Sequence, residues 1–180
     1  RPVVLGALRR ASGPAPLKNL IEFSKQKMLA RQGRHLSTID VHDIICKVGE
    51  IVVAGGVRRS AMISLSEIDD HEMKEAKNGQ FYLKEPQRAM ANNSAVYEEK
   101  PTMGQFMEEW SNLVSSGSGE RGIFNRGSLE HHMPKRRWEN TSTDQLDHFG
   151  VNPCGEIELR SKEFCNLSEV VARKEDSEET

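Results

Sequence analysis

The chain has 180 residues, with 27 acidic against 25 basic side chains and a formal net charge of −2. Lys and Arg are scattered among Asp and Glu, so the charge pattern offers no footprint for nucleic acid. No stretch approaches the roughly 20 apolar residues of a membrane helix, and three cysteines without a CxxC pair make no extracellular disulfide framework.

Those features predict a cytoplasmic protein, with no membrane or nucleic-acid partner, built as one domain. Val3-Val4-Leu5-Gly6 reads as a strand already under way, and 173–180 is a polar charged run. Both predict a domain that is incomplete at its two ends.

In chain order, residues 1–13 read as an apolar strand followed by a Gly/Ser loop. Pro14 and Pro16 then open a helix through Leu17, Leu20, Ile21, Phe23 and Met28. After a polar break at 31–37, Thr38 or Asp40 caps a second helix through Ile44, Ile45, Val48 and Ile51 to about Val53. Cys46 sits in its apolar part and reads as core.

Gly55-Gly56 stops that helix, and 57–65 alternates as a strand. Ser66 with Asp69 resembles a capping box for a short helix ending near Asn78-Gly79. A strand is predicted at 93–97. Thr102 with Gln105 forms another capping box, opening a helix through Phe106, Met107, Trp110, Leu113 and Val114 that Gly117 and Gly119 end. Gly122 to Asn125 is a short strand. Residues 130–148, including Lys135-Arg136-Arg137 and His131-His132, read as a long solvated loop with no metal site, and 149–172 as two short pieces around Cys154 and Cys165. Strand and helix alternate, which favours an α/β architecture with a mostly parallel sheet.

The chemistry concentrates in Gly150-Val151-Asn152-Pro153-Cys154-Gly155-Glu156-Ile157. In extended backbone, positions i, i+2 and i+4 project to one side, which would align the amide of Asn152, the thiol of Cys154 and the carboxylate of Glu156. Pro153 and Gly155 suit an extended loop in a cavity better than a central strand. The carboxylate of Glu156 disfavours a neighbouring thiolate, so Cys154 reads as a neutral S–H, better suited to hydrogen-atom exchange than to acyl transfer. The residues alone leave open a buried structural cysteine or a cysteine hydrolase or amidase using Cys154 and Glu156. They also leave open a non-catalytic α/β fragment.

That segment, followed by Phe164-Cys165-Asn166-Leu167-Ser168, resembles the active-site loop of ribonucleotide reductases. The resemblance implies part of a ten-stranded α/β barrel. Cys154 would become the thiyl radical that takes the 3′ hydrogen of the ribose, Glu156 would accept the 3′-hydroxyl proton, and Asn152 would hold the substrate's hydroxyl groups. Cys165 matches the family cysteine that reduces the substrate and ends in a disulfide, with a partner upstream of this chain.

Gly55-Gly56-Val57-Arg58-Arg59-Ser60 is by itself a helix stop with solvated arginines. Beside the cysteine motif it resembles the family loop that links a deoxynucleotide effector to the substrate base, with Arg9 to Pro14 as a looser neighbour. Arg88 with Asn92-Asn93-Ser94, and 119–126, are also similar to family segments, without assigned catalytic roles.

The division implied is 1–65 as the effector and specificity-loop region, 66–148 as barrel strands, helices and a long loop, and 149–172 as the cysteine loop and a following strand. The motifs look most like the adenosylcobalamin-dependent class. The resemblance implies a ribonucleotide substrate, adenosylcobalamin as cofactor with no binding residue identified, and a thioredoxin-type reductant.

Overall fold

A computed structural model describes residues 13–52, 60–141, 149–171, 173, 174 and 177. The predicted first strand, the Arg9–Ser12 part of the first loop, and Gly55, Gly56, Arg58 and Arg59 lie outside the described residues.

Two long helices come first, α1 (Ala15–Ala30) and α2 (Thr38–Val52). They are followed by β1 (Met62–Glu67), α3 (His71–Lys74), α4 (Phe81–Lys84), a 3-10 helix Pro86–Met90, and β2 (Ala91–Tyr97). Then come α5 (Met103–Ser116), β3 (Gly122–Asn125), a 3-10 turn Arg126–Ser128, α6 (Leu129–His132) and α7 (Lys135–Trp138). Two short strands, β4 (Gly150–Val151) and β5 (Glu158–Leu159), close the regular structure.

Strands β1, β2 and β3 form one parallel sheet with β2 in the middle, while β4 and β5 pair antiparallel as a hairpin. The α/β expectation with a parallel sheet is met. The described residues form three parallel strands, not a ten-stranded barrel.

Register divides the sheet into two faces, because side chains alternate along each strand. Ser64 and Ser66 share a face with Ala91, Asn93, Ala95 and Tyr97, through the pairs Ser64↔Asn93 and Ser66↔Ala95. This face meets the helices. On it His42 Nδ1 of α2 lies 2.7 Å from Ser64 Oγ, and Arg121 donates to Ser66 Oγ at 2.8 Å.

The helix face is held by buried charge more than by apolar packing. Arg121 donates to both carboxylate oxygens of Glu109 on α5, at 3.1 and 3.0 Å, and Lys74 lies 3.0 Å from the same carboxylate. Burial alone pushes the Glu109 carboxyl up, and the hydrogen bonds and charges of Arg121 and Lys74 more than reverse it. Asp43 of α2 plays the same part against Lys27 of α1 and Arg88.

The opposite face carries Leu65, Val96 and Phe124, and the apolar core lies on it. Val96, Phe124, Leu129, Met133 and Phe149 are buried together, with Leu65, Trp138 and Val151 packed against them.

Several expectations need correction. Ser66 lies in β1 and receives Arg121, so it caps nothing. The short helix α3 is capped by Asp70, whose Oδ1 accepts from Met73 N–H at 2.9 Å. Pairing with β2 extends the strand to Glu67, two residues past its predicted end. Residues 130–141 are not a plain solvated loop, since α6 and α7 place Leu129, Met133 and Trp138 on the core. One-turn helices are too short for their apolar period to show in sequence. By contrast, α5 follows its predicted cap: Thr102 and Gln105 bond reciprocally, and Gly117 ends the helix at φ 72°.

Candidate active site

The segment that carries Cys154 is a tight hairpin loop rather than an extended strand. Asn152 N–H donates to Ile157 O at 3.0 Å, and Gly155 N–H donates back to Asn152 O at 2.8 Å. Gly155 takes φ +87°, a conformation that favours glycine at this turn.

The side chain of Asn152 explains why the loop is not extended. Its Oδ1 accepts from the N–H groups of both Glu156 and Ile157, at 3.1 and 3.0 Å. These bonds satisfy two backbone donors that an extended loop would leave for water. Asn152 is buried, while Cys154 and Glu156 are exposed. The expected alignment of three side chains on one side is therefore replaced by a division of labour. The amide points in and braces the turn, and the thiol and carboxylate lie outside it. Both lone pairs of the Asn152 carbonyl are used, so only its Nδ2 remains for a substrate hydroxyl.

The hairpin lies across the face of the sheet opposite α2 and α5, the face that carries the apolar core. Its base sits at the C-terminal ends of the strands, where Arg126 Nε donates to Phe149 O at 2.8 Å. A Cβ built at Gly150 would meet Leu65 Cδ1 at 3.5 Å, so the first strand of the hairpin packs on the middle of β1. The tip reaches the start of β2, where Asn92 Nδ2 donates to Pro153 O at 2.6 Å.

Arg137 secures the far strand. Its Nη2 donates to Glu158 O at 2.9 Å and to Glu163 at 2.6 Å, and its guanidinium lies 5.8 Å from the centre of the Phe149 ring. The backbone N–H and guanidinium of Arg160 hold the Glu163 carboxyl below the usual carboxylate range. By sequence Arg137 is one of three solvated basic residues, and Asn92 carries no assigned catalytic role. Their partners are 21 to 61 positions away, and no local pattern announces such contacts.

Cys154 and Cys165 are free thiols, exposed and partly exposed, and residues 160–171 form no helix or strand. Among the described residues, the side chains of Cys154, Glu156 and Cys165 make no hydrogen bond or ion pair with one another. Cys46 is fully buried, with its sulfur 3.4 Å from His42 Nε2. Burial and the nearby Asp43 push this thiol up to about 12, in keeping with a core role. Ser60 of the Gly-Gly-Val-Arg-Arg-Ser segment donates to Gly49 O at 3.3 Å, which ties the end of that segment to α2. Among the described residues, no group of three His, Cys, Asp or Glu side chains could hold a metal ion. None of their helices is long and apolar enough to cross a membrane.

Fold and site together define an α/β protein that presents an exposed thiol on a braced hairpin, over the face of a parallel sheet opposite α2 and α5. No family model and no solved structure matches the chain. Curated relatives do match it. The adenosylcobalamin-dependent ribonucleoside-triphosphate reductase of Lacticaseibacillus paracasei is 36% identical over 160 residues. Proteins of the same name from Lactobacillus acidophilus and Lactobacillus leichmannii are each 33% identical, over 160 and 163 residues. Each alignment covers 89% of this chain and 21% of the relative. The chain is similar over most of its length to a segment of those adenosylcobalamin-dependent reductases, and it spans about a fifth of their length.

Proposed function

We propose that this chain forms the thiol-bearing part of a reductase that converts ribonucleoside triphosphates to 2′-deoxyribonucleotides. The observation that carries the proposal is the Asn152–Ile157 turn, which leaves Cys154 and Glu156 exposed while Asn152 is buried. The same segment lies within a chain whose relatives bear that name. In this reading Cys154 gives up its S–H hydrogen atom and, as a thiyl radical, takes the hydrogen from ribose C3′. Glu156 accepts the 3′-hydroxyl proton. Asn152 Nδ2 donates to a substrate hydroxyl while its carbonyl keeps the turn closed.

Cys165 and a cysteine from an earlier part of the protein supply two electrons as thiols and end as a disulfide, which a thioredoxin-type dithiol reduces again. Adenosylcobalamin, when bound, supplies the radical that oxidises the thiol. An exposed Cys154 fits that exchange as the buried Cys46 does not, and no described residue is assigned to hold the cofactor. Gly55, Gly56, Arg58, Arg59 and Ser60 are proposed to link a deoxynucleotide effector to the substrate base, in a protein of the cytoplasm.

In the full-length protein, Cys154→Ser should abolish product formation while nucleotide binding persists. Retained turnover in that variant would refute the reading. Rapid alkylation of Cys154 near neutral pH, with loss of an amidase activity, would instead favour a cysteine hydrolase.

A further inference from the structure

The face of β2 that carries Val96 starts with Asn92, an exposed residue whose type is a poor strand former. It pairs with Ile63 in register and contributes nothing to the apolar core. Its one side-chain bond of note runs to Pro153 O, 61 positions along the chain, at 2.6 Å. Pro153 O and Cys154 N belong to one planar peptide unit. Holding that oxygen fixes the plane from which the Cα–Cβ bond of Cys154 projects.

We propose that Asn92 is a positioning residue for Cys154, locking the tip of the hairpin to the sheet so that the thiol keeps one direction relative to the substrate. The inference rests on the radical role of Cys154 proposed above. Two braces act on the same turn from opposite sides. Asn152 closes it from within, through the amides of Glu156 and Ile157, and Asn92 ties it down from β2. The two differ in what their loss does. Without Asn152 the turn itself opens. Without the Asn92 amide the turn keeps all of its internal bonds, and the base stays held by Arg126 and Arg137. Only the tip is freed to shift over the sheet.

A shift on the order of 1 Å in a reacting group can cost about 100-fold in rate. A single exposed hydrogen bond from a strand to a hairpin tip contributes little to global stability by comparison. Asn92 is therefore expected to act on kcat and not on folding.

The test uses the full-length protein with three substitutions. Asn92→Ala removes the donor, Asn92→Asp keeps the shape but offers only acceptors to the Pro153 carbonyl, and Asn92→Gln keeps a donor on a longer arm. We expect kcat to fall on the order of 10- to 100-fold in the Ala and Asp variants. KM, nucleotide Kd and Tm should stay near wild type, and the Gln variant should recover part of the rate. Hydrogen exchange across 150–159 should quicken in Asn92→Ala, while α5 and β2 stay unchanged. Wild-type kcat in Asn92→Ala alongside an inactive Cys154→Ser enzyme overturns this inference alone. So does a loss of kcat accompanied by equal losses in Tm and nucleotide binding. A Cys154→Ser enzyme that still turns over instead overturns the reading of the site itself.

Discussion

Asp43 offers a severe test of how the helix face is held. Its carboxylate is fully buried, yet it receives Arg88 Nε at 2.6 Å, Arg88 Nη2 at 2.9 Å and Lys27 Nζ at 2.7 Å. Burial pushes this carboxyl up, and the bonds and charges of Arg88 and Lys27 bring it below its ordinary value. Asp43→Asn keeps the shape and removes the charge. Breaking a buried pair typically costs about 3–5 kcal/mol. Here both cations keep some exposure, 15% for Arg88 and 21% for Lys27, and can regain water. The expected cost is therefore nearer 2–3 kcal/mol. With a urea slope of about 2–3 kcal/mol/M, the unfolding midpoint of the chain should fall by roughly 1 M at pH 7. The carboxyl is depressed in the fold, so its contribution is fully present above the unfolded value near 4 and is lost as pH falls through the lower folded value. The gap between wild type and Asp43→Asn should therefore close below about pH 4. A midpoint shift under about 0.3 M at pH 7, or a gap of equal size at pH 7 and pH 3, would refute the reasoning.

Under native conditions, iodoacetamide at pH 8 should modify Cys154 before Cys46, whose thiol is buried and pushed up to about 12; mass spectrometry that finds Cys46 labelled first would contradict the packing. His42 is lowered to about 4 by burial, so its imidazole should stay neutral down to about pH 5, and a ring resonance that titrates near 6.5 would place it in solvent. At Gly127 an added Cβ would clash with the backbone carbonyl of Glu98, which side-chain motion cannot relieve. Gly127→Ala should cost about 1–3 kcal/mol or more in urea unfolding, and an unchanged midpoint would show that the turn after β3 is placed wrongly.

How much of this was legible in the sequence depends on the range of the force involved. The α5 helix was, because Thr102 and Gln105 satisfy each other within four residues and Gly117 supplies the left-handed stop. The parallel sheet was, because strand-like and helix-like periods alternate. The two ends of β1 were not. Its register is set by β2, and Ser66, which sits at a capping-box spacing from Asp69, is claimed by an arginine 55 positions away. The two short helices at 129–138 were hidden for a related reason. Leu129, Met133 and Trp138 stand in polar surroundings, and only the face of Val96 and Phe124 makes them core.

The cysteine loop shows the same limit inside the site. Alternation placed Asn152, Cys154 and Glu156 on one side because it assumed that backbone donors would be met by water or a neighbouring strand. The Asn152 carbonyl meets two of them instead, and once that happens the chain must turn. That exchange suits a reactive thiol. An extended segment directs its side chains by pleat alone and can slip in register. A turn closed by its own asparagine, tied at the tip by Asn92 and at the base by Arg126 and Arg137, has no such freedom. The apolar core then lies under the base, around Phe149, and the exposed tip is left to the polar groups. Rigidity comes from packing at one end, and the thiol is presented at the other.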